Sequence, residues 1–448
     1  MGQESGVAGP MARTLVLARS DRWAGPLCDG LDKLGWRTVT ARSLSAALIA
    51  LQDLGIEAAV IDLTDDPAGG FAAAARLKAF YSPRRLPLLG LGEPDASGDS
   101  GPFDLIMRPP LHPAQTVLRL ESLTRAAVTE EEFELRAQTL AERGRQLEPP
   151  VIDPAPLQVL TVGEPAPKFL ALSHALRGCG AETTGAFTAY TAFDYLHERP
   201  FDAVVLWAGE TRNDALSIAA GMRRNTRLYH LPTMLYLRGD AEVGETEIFD
   251  RGVTDIATAV TPEDETARRV VALARAYRRE TAIRKARERG RASGLMDAAT
   301  GLFTRDLFAA HLARLAGAMH ARHRPLSVAV LRIAETPDIA HMRSEGWLDR
   351  AIPQIGSMIG RLVRAEDTVA RLAPDVFALA FPAARREEAR AAAERIAAVI
   401  GCTAFDAGEN RTPFTTSFDV GVAELEPNET AAMALERAGA RAAHRRVG

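Results

Sequence analysis

The run EAAVIDL at Glu57–Leu63 is a short apolar segment closed by an aspartate. A run of this length between polar residues reads as a strand buried on both faces, the pattern of a parallel sheet. Working outward, TLVLA (Thr14–Ala18) is a similar run. It is followed by a helical segment (Trp23–Leu34), the strand GWRTVTA and a second helical segment (Leu44–Leu54). Beyond Leu63, LPLLGLG (Leu86–Gly92) and DLIMRPP (Asp104–Pro110) complete five strands. Strands alternating with helices predict a doubly wound parallel sheet.

The layout returns between Leu157 and Val260 as LQVLTVGEP, AETTGAF, FDAVVLW, LPTMLYL and DIATAV. Two copies of one α/β domain are therefore expected, at residues 12–128 and 157–278. The connection, 129–156, begins as a charged helix, EEEFELRAQTLAERGRQL, and ends in PPVIDPAP, which no helix crosses. A second charged stretch, YRRETAIRKARERGRAS, predicts a solvated basic linker helix over 279–295. It lacks the interleaved aromatics of a nucleic-acid surface. From 296 to 448, LSVAVLRI, VFALAF and FTTSFDVGVAEL alternate with Ala/Arg-rich helices. That predicts an α+β domain with one sheet face covered.

A chain of 448 residues is too long for one core, and its net charge of −4 gives no global pull toward nucleic acid or membrane. Three widely spaced cysteines suit a reducing cytoplasm better than a disulfide framework or a metal knuckle. No run of about 18 apolar residues is present to span a membrane. MGQESGVAGP has no signal pattern and reads as a loose tail.

The duplicated five-strand pattern resembles the receiver domain of bacterial response regulators, a flavodoxin-like fold. The resemblance implies a phosphoacceptor aspartate at the end of the third strand, where Asp62 stands. It also implies a Mg²⁺ held by an acidic pair after the first strand; here that place reads Arg19-Ser20-Asp21. The family's Thr/Ser position falls on Gly92, and its lysine becomes Arg108, before Pro109. Arginine does not substitute silently for a compact ammonium. Asp62 is thus either a phosphoacceptor or an acid left at a strand end in a dimerisation module, and the degraded neighbours favour the second. In the other copy the acceptor position is Trp207, which takes no phosphoryl group. The first-strand site there is Gly163-Glu164 and the lysine position Thr261, which reads as a structural adaptor.

DAATGLFTRDLF (Asp297–Phe308) resembles the start of the GGDEF family of diguanylate cyclases, with Asp297, Thr300, Gly301, Leu302 and Arg305 matching and Thr304 in place of an asparagine. SFDVGVAEL (Ser417–Leu425) resembles a later strand of that family, with one residue inserted. The register puts Ala373, Pro374, Asp375, Val376 and Phe377 on the GGDEF string itself. The family's hairpin glycines are thus Ala373 and Pro374, and proline removes a donor and fixes φ. Val376 stands for a metal-binding glutamate, Arg332 and Ala334 for strand carboxylates, and Gly439 for a lysine on the phosphates. A guanidinium at Arg332 repels Mg²⁺. Neither a catalytic residue, a metal nor a cofactor is expected.

Arg364 and Asp367, in RAEDTVARLAPDVF, match the family's Arg-x-x-Asp product site, and Arg395 in AAAERIAAV matches its further arginine. The resemblance implies that these three bind cyclic di-GMP. Arginine can meet guanine O6 and N7 and neutralise phosphate. The bland alternative is a helix-end salt bridge worth under about 1 kcal/mol. The order receiver, receiver, GGDEF resembles the PleD family, and the broken string beside a kept product site resembles the PopA-like group. That resemblance implies a cytoplasmic, polar, homodimeric effector in cell-cycle control. Its implied partners are cyclic di-GMP, the adaptor RcdA, the regulator CtrA and the protease ClpXP. Two alternatives stay open: a cyclase making cyclic di-GMP from GTP with unusual metal ligands, and a response regulator gated through Asp62.

Overall fold

The computed structural model describes residues 12–82, 84–93, 100–108, 113–208, 212–225, 227–237, 252–258, 260–290, 295–407 and 412–444. The stretch MGQESGVAGP, Pro109 and the end of the basic linker lie outside them. The chain divides into two compact units, residues 1–127 with 152–281, and 128–151 with 282–448.

The first unit holds two five-stranded parallel sheets. One comprises β1 (Arg13–Leu17), β2 (Arg37–Ala41), β3 (Ala58–Asp62), β4 (Leu88–Leu91) and β5 (Leu105–Met107), in the order β2-β1-β3-β4-β5. The other comprises β6 (Leu157–Val162), β7 (Ala181–Ala186), β8 (Ala203–Ala208), β9 (Thr233–Leu237) and β10 (Asp255–Ala257), in the order β10-β9-β8-β6-β7. Both share the 2-1-3-4-5 order of flavodoxin-like sheets.

Apolar side chains leave both faces of each sheet. In the first, α2 (Leu44–Asp53) and α3 (Pro67–Tyr81) cover Leu15, Ala59 and Ile61. On the opposite face, α1 (Asp21–Lys33) and α4 (Pro113–Ala141) cover Val16, Val60 and Leu89. In the second, α6 (Ala189–Glu198) and α7 (Arg212–Arg224) cover one face, and α5 (Pro167–Gly178) and α8 (Glu263–Gly290) the other. Local sequence fixes the helix starts. Asp66 accepts from Gly69 N at 2.9 Å with Pro67 in the first turn, and Ser43 accepts from Ala46 N at 3.3 Å. A buried ion cluster ties the two sheets' helices together. Asp255 accepts from Arg269 Nε at 3.0 Å and from Gln115 Nε2 at 3.1 Å, and Arg119 lies 3.8 Å away.

The second unit is built on an antiparallel sheet, β12-β13-β11-β14. Its strands are β11 (Leu326–Ile333), β12 (Thr368–Ala373), β13 (Val376–Pro382) and β14 (Phe418–Glu424). Here the expectation of one covered face is corrected. Ala329, Leu331 and Phe377 pack under α10 (Pro337–Ser344), α11 (Trp347–Leu362) and α12 (Arg386–Gly401). Val328, Val330 and Ala378 pack under α9 (Arg305–His320) and α13 (Ala431–His444). Ala378, Ala380 and Ala423 on the second face are small, and the Ala-rich α13 packs close against them, a burial that a search for large apolar residues does not reveal.

Two expected boundaries lie on continuous helices. α4 runs through residue 128 and α8 through residue 279 without a break, so both fall inside helices. The basic linker is not solvated all round: Ile283 and Ala286 are buried beside Phe133, and Arg287 is partly buried.

Candidate functional site

β12 and β13 form a hairpin that turns at Pro374–Asp375, with Ala373 facing Val376 across it. Asp375 is the acid kept at this turn. Arg343 Nη2 approaches its Oδ2 at 3.3 Å while Arg343 Nη1 meets Glu335 at 2.9 Å. On the adjoining strand Arg332 lies cross-strand from Val376 and from Asp419. Phe377 points to the other face and is fully buried. The residues at the hairpin do not fit a divalent cation. Its one carboxylate is engaged by a guanidinium, and a second guanidinium stands on the neighbouring strand. Among the described residues no group of three or more His, Cys, Asp or Glu is placed to hold a metal ion.

Asp297 organises the segment before α9, its Oδ1 accepting from Thr300 N at 2.9 Å and Thr300 Oγ1 at 2.7 Å. Gly301 then takes φ of 66°, a left-handed turn that favours glycine. Thr304, in place of the expected asparagine, caps α9 by accepting from Leu307 N.

Arg364–Asp367 is a closed turn between α11 and β12. Asp367 N donates to Arg364 O at 3.2 Å, and Asp367 Oδ2 accepts from Arg364 N at 2.9 Å. The turn therefore presents Arg364 to solvent and draws Asp367 inward, to 4% exposure. Arg395 is partly buried on α12, which packs beside α11. Arg364 and Arg395 thus lie on adjoining elements, while Asp367 shapes the turn from beneath.

What lies behind that turn was not foreseen. Arg287 of α8 donates to the carbonyls of Asp367, at 2.8 Å, and Ala365, and Thr129 of α4 donates to Glu366 at 3.2 Å. Deeper, Glu132 accepts from Arg136 Nε at 2.9 Å and from Thr368 Oγ1 at 3.0 Å, and His311 Nε2 lies 3.0 Å from it. Burial alone raises the Glu132 carboxyl, but Arg136, Arg287 and His311 hold it well below the usual range. Burial lowers His311, against the pull of Glu132, so its imidazole is neutral at pH 7. A readable signal was the 283, 286, 290 spacing of small and apolar residues within the basic stretch, which marks a buried helix stripe.

Burial, and then the Glu366 carboxylate, push the Asp367 carboxyl up to about 7. Its unfolded value is about 3.9, so the folded state holds an extra proton between these limits. Its contribution to stability is full below about pH 4 and is lost as pH rises to about 7. The stability of the native protein relative to Asp367→Asn should therefore fall from pH 5 to pH 7.5, measured by urea unfolding. The paired comparison cancels the opposite contribution of His311. A difference that stays flat or rises contradicts this assignment.

In the first sheet, Asp62 Oδ1 accepts from Thr64 N at 2.9 Å and Thr64 Oγ1 at 2.7 Å, and its buried Oδ2 has no partner. Arg19 pairs with Asp66 at 2.8 Å, and Arg42 pairs with Asp21. Arg108 is turned to Glu93 at 3.2 Å and to Asp264 at 3.4 Å. In the second sheet, Trp207 is 6% exposed and stacks on Tyr236 with ring centroids 4.7 Å apart. Gly163 allows this approach, because a Cβ there would come within 2.4 Å of Trp207 Cβ. Trp207→Ala should cost about 3–5 kcal/mol, read by urea unfolding of the chain. A loss below about 1 kcal/mol would show the indole to be dispensable packing.

Residues 294–445 match the family described as diguanylate cyclase, GGDEF domain. This part of the chain is a GGDEF domain. Among solved structures, the GGDEF domain of FimX from Pseudomonas aeruginosa is 22% identical, with 34% of this chain and 96% of that one covered and a TM-score of 0.32. The GGDEF domain of DgcB from Caulobacter crescentus, solved in complex with c-di-GMP, is 23% identical over 34% of this chain and 89% of that one, with a TM-score of 0.31. The diguanylate cyclase SiaD from Pseudomonas aeruginosa, solved with its activator SiaC, is 21% identical over 41% and 71%, with a TM-score of 0.34. These likenesses add no weight of their own, and the assignment rests on the family match. No curated protein matches the chain. Among the described residues no helix is long and apolar enough to cross a membrane.

Proposed function

We propose that the chain is a cyclic di-GMP receptor whose GGDEF domain makes no cyclic di-GMP. The observation that carries this reading is the contrast within one sheet. The Arg364–Asp367 turn is closed, with Arg364 exposed and Arg395 on α12, the helix that packs beside α11. The hairpin that a cyclase needs has Pro374, Val376 and an engaged Asp375, beside Arg332. The family match to the diguanylate cyclase GGDEF domain supplies the ligand class. In this reading Arg364 and Arg395 contact the nucleotide, and Asp367 positions the turn.

The two parallel-sheet domains are receiver-like and serve as a scaffold. Arg108 pairs with Glu93 and Asp264, and Trp207 stands at the second acceptor position. By resemblance, the receptor acts as a homodimer at a cell pole in cell-cycle control, with RcdA, CtrA and ClpXP as the partners to test. The turnover arm of the proposal is tested by incubating the chain with GTP and Mg²⁺ or Mn²⁺ and separating products by chromatography. No cyclic di-GMP is expected. Formation above a GGDEF-free control would make the chain an enzyme and end this part of the reading.

A further inference from the structure

The face of the GGDEF sheet under α9 and α13 carries a cavity of about 940 Å³. Its floor is Val330, Arg332 and Val376, and its walls come from α9 and α13. Small residues keep it open: Ala313 and Gly317 on α9, Ala431 and Gly439 on α13. A Cβ added at Gly317 or Gly439 would meet no atom within 4 Å.

The charges inside the cavity are unequal. Glu429 on the rim is taken up by Arg437 at 2.7 Å, Glu426 is bonded by the same guanidinium at 2.5 Å, and the third carboxylate of the lining, Glu436, is an exposed residue of α13. Arg332 is partly buried in the floor and has no side-chain partner among the described residues. Its cross-strand neighbour Asp419 shares its face but forms no ion pair with it. Arg305 adds a second cation at the α9 end. A guanidinium partly withdrawn from water, without a carboxylate, is costly unless an anion meets it.

We infer that this cavity binds an amphipathic organic anion, with its acidic head on Arg332 and its apolar body between α9 and α13. The size is that of a small-molecule site, and a mostly apolar lining with one or two placed charges is how such sites secure orientation. No metal is needed, because the guanidinium itself supplies the fork that a carboxylate or sulfonate fits. This inference is independent of cyclic di-GMP binding at Arg364, which lies on a different turn.

The test uses the full chain and dodecanoate, below its micelle concentration, in isothermal titration. Dodecanol serves as the uncharged match. Two variants probe the two halves of the site. Arg332→Gln removes the charge, and Gly439→Trp fills the space from a helical position where the added Cβ has room. Saturable binding of one dodecanoate is expected, weakened about tenfold or more by Arg332→Gln and abolished by Gly439→Trp. Dodecanol should bind more weakly than dodecanoate. The inference is overturned by no saturable binding to the native chain, by equal binding to either variant, or by dodecanol binding as tightly. Circular dichroism of each variant verifies that it is folded, and Gly317→Leu replaces Gly439→Trp if the latter is not.

Discussion

Replacing Arg364 with alanine should weaken cyclic di-GMP binding by about 100-fold while the chain stays folded. The side chain is exposed, and the turn is closed by the Arg364 backbone N–H, which the Asp367 carboxylate accepts, a bond that alanine keeps. What is lost is the bidentate fork toward guanine or phosphate, not the scaffold that carries it. Arg364→Lys should recover little, because a point charge cannot replace a planar fork. Asp367→Asn should act differently. An asparagine oxygen can still accept from Arg364 N, so binding should survive in part while the Asp367 share of the pH dependence of stability disappears. Titration calorimetry on the three variants separates the roles; if Arg364→Ala bound as tightly as the native chain, the site is misplaced.

The second large effect is on stability. Glu132→Ala should cost about 3–5 kcal/mol, because it leaves the buried Arg136 without its carboxylate. It also strips His311 and Thr368 of a shared acceptor. A buried ion pair is weak evidence of net stabilisation, yet breaking one side of it is expensive. Replacing the set Glu132, Arg136 and His311 together by apolar residues of similar volume should restore most of the loss. Urea unfolding at pH 7 reads both variants. A cost below about 1 kcal/mol for Glu132→Ala would mean that water or another group replaces the carboxylate.

Much of the fold was legible because each parallel strand is a short aliphatic run. Ala58–Asp62 and Ala203–Ala208 fall within a residue or two of the segments read from EAAVIDL and FDAVVLW. The short β12 was not among the three strands read for the last domain. Its sequence, TVARLA, mixes polar and apolar residues because one end approaches the turn. Charge misled the reading of α4 and α8. Long runs of Glu and Arg look solvated, yet Phe133, Ile283 and Ala286 form a buried stripe within them.

The site was legible in part. The positions of Arg332 and Val376 at the hairpin follow from register alone, and the structure places them side by side. The inward turn of Asp367 was not readable, since Arg-x-x-Asp spacing does not say whether the acid faces a ligand or caps its own backbone. Nor was Arg287, whose partners are two carbonyls, which leave no mark on a sequence.

The most direct measurement is isothermal titration of the full chain with cyclic di-GMP in the presence of Mg²⁺. Saturable binding in the low micromolar range or tighter is the result expected of a receptor. No heat of binding at any accessible concentration would reduce the Arg364–Asp367 turn to a structural loop and contradict the central claim.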